Sequence, residues 1–249
     1  MSPWQGVLVF VAGIAAGTIN VVVGSGTLIT FPVLLGVGIS PVTANVSNTL
    51  GLVPGSVMGA YGYRRELAGQ RQRALRLGAA SALGGIAGAI LLLTLPAGAF
   101  KAIVPALIII ALVLVVFGQR IVAALSSGRH RPSEHVGPWL WLTTFGTGVY
   151  GGYFGAAQGV LLLALLGIFL ADSLQRHNAL KNVLAGLVNA VAAVVFVIAA
   201  HLDWAAAGLI AGGSVIGGVL GAKIGRRLPA PVLRAVIVVV GIVAIVKLA

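Results

Sequence analysis

The chain has 249 residues, 59% of them hydrophobic, with 16 Lys and Arg against four Asp and Glu, four His and no Cys. That much apolar surface cannot be hidden inside a soluble globule, so composition places the chain in a bilayer, as one polytopic all-α domain over residues 1–249 with no soluble appendage. Lack of cysteine excludes disulfides, thiolate metal sites and cysteine nucleophiles, and the net charge of +12, gathered in short loops between apolar runs, reads as membrane topology rather than a nucleic-acid-binding face.

Hydropathy and helix breakers predict ten apolar segments, at roughly 4–23, 27–38, 43–63, 75–95, 100–123, 138–155, 159–171, 178–200, 204–224 and 231–248. The first has no basic stretch ahead of it, which predicts no cleaved signal peptide. The second, LITFPVLLGVG, would make about 16 Å of helix at ~1.5 Å per residue and contains Pro32, too short for a hydrocarbon core of about 30 Å; it crosses only with help or re-enters. The seventh is short in the same way.

A shift of 133 residues aligns the two halves without a gap. It carries Ser81 onto Ser214, Gly84-Gly85 onto Gly217-Gly218, Gly88-Ala89 onto Gly221-Ala222, Leu95-Pro96-Ala97 onto Leu228-Pro229-Ala230, Gly26 onto Gly159 and Asn45 onto Asn178. The expected organisation is therefore a first repeat at about 4–123, a basic loop at about 119–137 and a second repeat at about 138–249. The loops carrying Arg64, Arg65, Arg71, Arg73 and Arg76, then Arg120, Arg129 and Arg131, then Lys223, Arg226 and Arg227 belong in the cytoplasm, whereas residues 199–204 have no Lys or Arg and belong outside. Each five-segment repeat then crosses an odd number of times, the halves are inverted, and both termini lie outside. Glycines every four residues, Gly51, Gly55 and Gly59 and then Gly213, Gly217, Gly221 and Gly225, predict smooth faces where helices approach closely.

Inverted repeats with broken segments at matching positions point to a secondary transporter whose site lies near the midplane. One break is NVVVGSGTLITFP, where Ser25, Gly26 and Thr27 can aim amides and hydroxyls at a ligand; the other is GAAQGVLLLALLG, where Gln158 and Gly159 take that place. A Gly-rich turn opening a helix suits an anion, and a tight turn with nothing bound is the alternative. Beyond each break comes a polar helix start. In PVTANVSN it supplies Asn45 and Asn48; in LQRHNALKN it supplies Asn178 and Asn182, on one helical face with Asn189, and Lys181 beside them. A lysine in a membrane helix reads as functional, unless it snorkels to the headgroups. One cation among amides favours an anionic ligand. Asp172 is expected to pair with Arg176 four residues on or to move a proton, and His177 either couples transport to protons or is an interfacial histidine. Trp139, Trp141 and Trp204 read as interfacial anchors. No zinc, haem, Walker or nucleophile-elbow pattern occurs, so no cofactor, metal or catalytic set is expected.

These residues resemble the TauE/SafE sulfite exporter family of membrane permeases. The resemblance runs from about Gly13 to the end and rests on GTINVVVGSGTLITFPVLLGVGISPVTANVSNTLGLVPGSVMGAYGYR, GGYFGAAQGVLLLALLG, NALKN, DW and GGVLGAKIGRRLP. It implies bacterial inner-membrane export or uptake of sulfite, organosulfonates such as sulfoacetate, or related small anions. The chain departs from the family at Ala156-Ala157-Gln158, where many members carry further glycines. The expected site joins Asn20, Ser25, Gly26, Thr27, Asn45 and Asn48 on one side to Gln158, Asn178, Lys181, Asn182 and Asn189 on the other. Its expected partners are a small anion and membrane lipids, with no nucleic acid, in a monomer or homodimer; a channel sharing the same cavity is the alternative mechanism.

Overall fold

The computed structural model describes residues 1–126 and 135–224, and among them every regular element is an α-helix. The tenth predicted segment, 231–248, and the basic residues Arg129, Arg131, Arg226 and Arg227 lie outside the described residues. The helices are α1 (Pro3–Val22), α2 (Thr27–Gly36), α3 (Pro41–Gly62), α4 (Arg71–Thr94), α5 (Ala97–Ser126), α6 (Pro138–Tyr153), α7 (Gln158–Phe169), α8 (Leu174–Ala199) and α9 (Trp204–Ile224). They match the first nine predicted segments, because the breakers between them act locally. Ser2 opens α1 with a capping box, its Oγ accepting from the Gln5 amide at 3.3 Å while its own N–H donates to Gln5 Oε1 at 2.8 Å. Ser173 caps α8 in the same manner, accepting from the Arg176 amide.

Among the described residues five helices are long and apolar enough to cross a membrane: α1, α4, α5 over Gly98–Phe117, α8 and α9. α3 has the length, 22 residues, but not the hydropathy, since it carries Asn45, Ser47, Asn48 and Thr49 in its first half, all buried against other helices rather than turned to lipid. α2 and α7 have 10 and 12 residues, about 15 and 18 Å of helix at ~1.5 Å per residue, and each follows a break in the helix before it.

Glycine decides which helices touch. Along α1 and α9 a Cβ on Gly213 would meet Phe10 O at 2.3 Å, one on Gly217 would meet Ile14 O at 2.1 Å, and one on Gly221 would meet Thr18 O at 2.7 Å. The register rises together on both helices, so they run parallel. Gly84 and Gly88 of α4 lie in the same way on Phe145 O and Val149 O of α6, at 2.2 and 2.1 Å. Gly51 and Gly55 of α3 rest on Ile210 and Ser214 of α9, again in parallel, and the Ser214 hydroxyl donates to Gly51 O at 2.8 Å while accepting from the Gly55 amide at 3.2 Å. Where no Cβ intervenes, helices in lipid gain dispersion contacts over their whole length. Gly88→Leu forces α4 off α6 and is expected to lower stability by about 3 kcal/mol or more, read as a fall in the thermal unfolding midpoint of the detergent-solubilised protein. The outward faces are apolar: Val7, Leu8 and Val11 on α1 and Val194, Val197 and Ile198 on α8 are exposed, and Trp139 and Trp204 stand exposed at the first turns of α6 and α9.

Candidate functional site

The helix breaks after α1 and after α6 meet. Each contains one glycine with positive φ, Gly24 at 88° and Gly155 at 73°, a backbone state that L side chains rarely adopt. Gly24 then runs directly against Gly159 at the start of α7: the Gly159 amide donates to Gly24 O at 3.0 Å, and a Cβ on Gly24 would lie 2.3 Å from Gly159 Cα. Gly26 folds back onto α1, where a Cβ would meet Ala16 O at 2.6 Å. Next to this crossing sit Ser25 and Gln158, both buried, with Ser25 Oγ and Gln158 Nε2 lacking a hydrogen-bond partner. The Gln158 side chain lies over Gly151 of α6, in space that any side chain at 151 would fill. Buried polar atoms are normally satisfied, so two orphans at one backbone crossing make it a candidate place for a polar guest.

Lys181 neither snorkels nor points into an open cavity. It is fully buried, about 10 Å along α8 from Leu174 at ~1.5 Å per residue, and its ammonium donates to Asn20 O at 3.0 Å and Val21 O at 2.8 Å. These are among the last carbonyls of α1, left without intrahelical donors because the helix stops there, and a cation at a helix C-terminus also meets the negative end of its dipole. Lys181 thus makes the end of α1, a few residues before Ser25, electropositive. Asn45 serves the other break: its Nδ2 donates to Tyr153 O, at the end of α6, at 2.9 Å, and its Oδ1 is unpartnered. Tyr153 falls on Asn20 at the 133-residue shift, so the third helix of each half holds the broken first helix of the other.

The remaining expected residues divide. Asn48 is fully buried and its amide is engaged by α2, accepting from the Thr30 hydroxyl and donating to Thr27 Oγ1 at 3.1 Å, so Asn48 and Thr27 fasten α2 to α3 rather than standing free for a ligand. Asn20 is half-buried and donates to Ser56 Oγ at 3.3 Å. Asn178 and Asn182 are buried on α8 with Asn178 Oδ1 and Asn182 Nδ2 unpartnered. Asn189 is half-buried and about 10 Å further along the helix than Asn182, which sets it apart. His177, in the first turn of α8, is buried with Nε2 unpartnered. Asp172 forms the expected pair with Arg176, at 2.8 Å, and a second one with Arg73, at 2.7 Å. Burial alone would raise its carboxyl, but hydrogen bonds from Arg176, the Ser173 amide and Arg73 outweigh this and bring it down to about 2. A carboxylate held there stays charged through the physiological range, which favours ion pairing over proton transfer.

Sequence reasoning passed over Thr30, Ser56, Tyr153 and Arg73. For Tyr153 the signal was present, since the repeat places it on Asn20; Thr30 follows Thr27 at helical spacing; Arg73 gave none, because it meets Asp172 only through the fold. An open cleft of about 400 Å³ lies away from the crossing, at the end of the bundle where α4 and α8 begin, with Arg73, Arg76, Asp172 and Arg176 in its wall. No group of three His, Cys, Asp or Glu among the described residues could hold a metal.

The family model described as sulfite exporter TauE/SafE matches residues 9–248. The chain belongs to the TauE/SafE family. Relatives of this TauE/SafE protein include the Escherichia coli (strain K12) "Probable membrane transporter protein YfcA", 28% identical over 225 residues, covering 90% of this chain and 80% of the relative. A Sinorhizobium "Probable membrane transporter protein ORF9" is 27% identical over 247 residues, covering 96% of this chain and 90% of the relative. A "Probable membrane transporter protein" of Haemophilus influenzae is 23% identical over 241 residues, covering 97% and 93%. No solved structure matches this TauE/SafE chain. It is thus a helical protein of a membrane-transporter family.

Proposed function

We propose that this TauE/SafE protein is a secondary transporter of small sulfur-containing anions, sulfite and organosulfonates such as sulfoacetate, working by alternating access in the bacterial inner membrane. The observation that carries this reading is the Gly24–Gly159 crossing, where two helix breaks abut with Ser25 Oγ and Gln158 Nε2 buried and unpartnered. Most first-turn amides of α2 and α7 are taken up by backbone carbonyls, so the donors that suit sulfonate or sulfite oxygens are the Ser25 hydroxyl and the Gln158 amide, set beside the positive ends of two helix dipoles. Lys181 supplies the positive charge from behind the end of α1, acting through the break rather than touching the anion. Among the buried asparagines Asn182 leaves a donor, Nδ2, unpartnered, whereas Asn45 and Asn178 leave only the acceptor Oδ1.

In this reading the protein is two inverted repeats of five segments. Support comes from the packing, in which α1 runs parallel to α9 as α4 does to α6, pairs that exchange under the 133-residue shift; a 63–70 connection that stays at one membrane face would set α4 against the direction of α3. The first helix of one half then runs opposite to the first helix of the other, and both termini fall on the periplasmic side with the basic connections in the cytoplasm. Export is the direction carried by the family description.

The test is flux of labelled sulfite and sulfoacetate in proteoliposomes. Ser25→Ala and Gln158→Leu each remove a donor to a charged ligand and should cut flux at subsaturating anion about tenfold or more. Wild-type rates in both variants, for every anion tried, would remove the crossing from the transport path. Flux that never saturates and shows no counterflow would make the protein a channel.

A further inference from the structure

The cleft at the basic end is separate from the crossing and is built differently. Arg73 and Arg76 come from the first turns of α4, and Arg176 from the first turn of α8. The turn between α7 and α8 contributes Asp172, and His135 comes from the segment before α6. Three guanidiniums face one carboxylate there. The carboxylate is shared: Arg73 Nη1 reaches Asp172 Oδ2 at 2.7 Å, and Arg176 Nε lies 2.8 Å from Oδ1 and 2.9 Å from Oδ2. Asp172 is therefore an internal anion held between two helices, and it leaves the lining with an excess of positive charge. The fit around it is otherwise made with the main chain. Arg176 Nη1 donates to Ala68 O at 3.0 Å, and Gln70 Nε2, on a fully buried side chain, donates to Arg176 O at 3.1 Å and Glu66 O at 2.8 Å. These bonds tie the α3–α4 connection to the start of α8, so the wall of the cleft is a fixed structure rather than a set of loose side chains. Its volume of about 400 Å³ lies within the ordinary range of small-ligand sites.

We propose that this cleft binds a tetrahedral oxyanion group, sulfate- or phosphate-like, either free in solution or carried as a lipid phosphate. Arg73, Arg76 and Arg176 are the donors, and Asp172 is the built-in carboxylate that the ligand displaces. Arginine forks match carboxylate, sulfate and phosphate oxygens alike, so the internal and external anions compete for one set of N–H groups. The exchange replaces the Asp172 carboxylate that joins Arg73 to Arg176, and so loosens the tie between the starts of α4 and α8.

The experiment measures the thermal unfolding midpoint of the purified full chain in neutral detergent. One arm titrates sodium sulfate at constant ionic strength, and the other titrates phosphatidylglycerol against phosphatidylcholine. A ligand that binds the folded state raises the midpoint with concentration, and the general salting effect of sulfate is common to all variants. Arg76→Gln changes an exposed side chain and should leave the fold intact while weakening the response about tenfold. Asp172→Asn, with the competitor neutralised, should strengthen it about tenfold. A response to sulfate identifies the free oxyanion, and a response confined to phosphatidylglycerol identifies the lipid headgroup; either supports the site. No response to either in both wild type and Asp172→Asn overturns it. So does an Arg76→Gln response equal to wild type, which decides the matter even if Asp172→Asn does not fold. Ser25→Ala and Gln158→Leu should keep the full response, so wild-type flux in those variants would sink the transport site and leave this one standing.

Discussion

Lys181→Met is expected to cut anion flux about 30-fold while leaving a folded protein. A unit charge ~8 Å from a bound anion, at an effective dielectric of ~20, contributes about 2 kcal/mol, which is a factor of ~30. The cost to the fold is smaller, because two opposing effects meet at one place. Removing the ammonium strands Asn20 O and Val21 O, each worth about 1–3 kcal/mol when left unpaired, but it also removes a buried charge whose desolvation opposed folding. Lys181→Gln separates the two roles. Its amide can donate to one of the α1 carbonyls without carrying charge, so stability should recover part of the way while flux stays as low as in Lys181→Met. Flux restored by Gln would mean that Lys181 only holds the end of α1 in place, and the electrostatic half of the transport reading would be lost.

Gly159→Ala should be strongly damaging for a single added methyl. The new Cβ would lie 2.4 Å from Gly24 Cα and 3.0 Å from Gly24 O, backbone atoms that no rotamer change can move. Relief requires the two breaks to part, which also stretches the Gly159 N–H to Gly24 O bond, and together these cost about 3 kcal/mol or more. Gly38→Ala provides the control. Gly38 also has positive φ, at 92°, but a Cβ there meets nothing within 4 Å, so only the left-handed backbone penalty of about 1–2 kcal/mol applies. Thermal midpoints in detergent and flux in proteoliposomes read both variants. Equal effects at the two positions would mean that the crossing tolerates separation, and the close contact would carry no function.

Much of the architecture was legible in the residues because its causes are local. Apolar runs, Gly and Pro breakers and capping serines act over a few positions, and nine described helices follow the predicted segments accordingly. The shortness of α2 and α7 was readable for the same reason, and so was the pairing of Asp172 with Arg176, four residues apart on one turn. The glycine stripes announced close packing without naming the partners. That α9 lies on both α1 and α3, and α4 on both α6 and α8, depends on which smooth faces find each other between stretches far apart in the chain.

The site divides along the same line. Sequence alone determined that an uncommonly polar set of side chains sits at two broken helices related by one fixed shift, and that only the second half carries a lysine there. Spacing along a helix shows which residues share a face but not what the face meets. Only the tertiary structure decided that Asn48 is engaged by Thr27 and Thr30, that Asn45 reaches across to Tyr153, and that Lys181 closes the end of α1. The physical reason is the orphaned carbonyl. A helix that stops inside a bundle, away from water, must find donors for its last C=O groups, and the nearest ones come from a helix distant in sequence. The charge asymmetry between the halves follows from that placement: α6 is closed by the neutral Asn45 and α1 by a cation, so the electropositive break is the one that leads to Ser25.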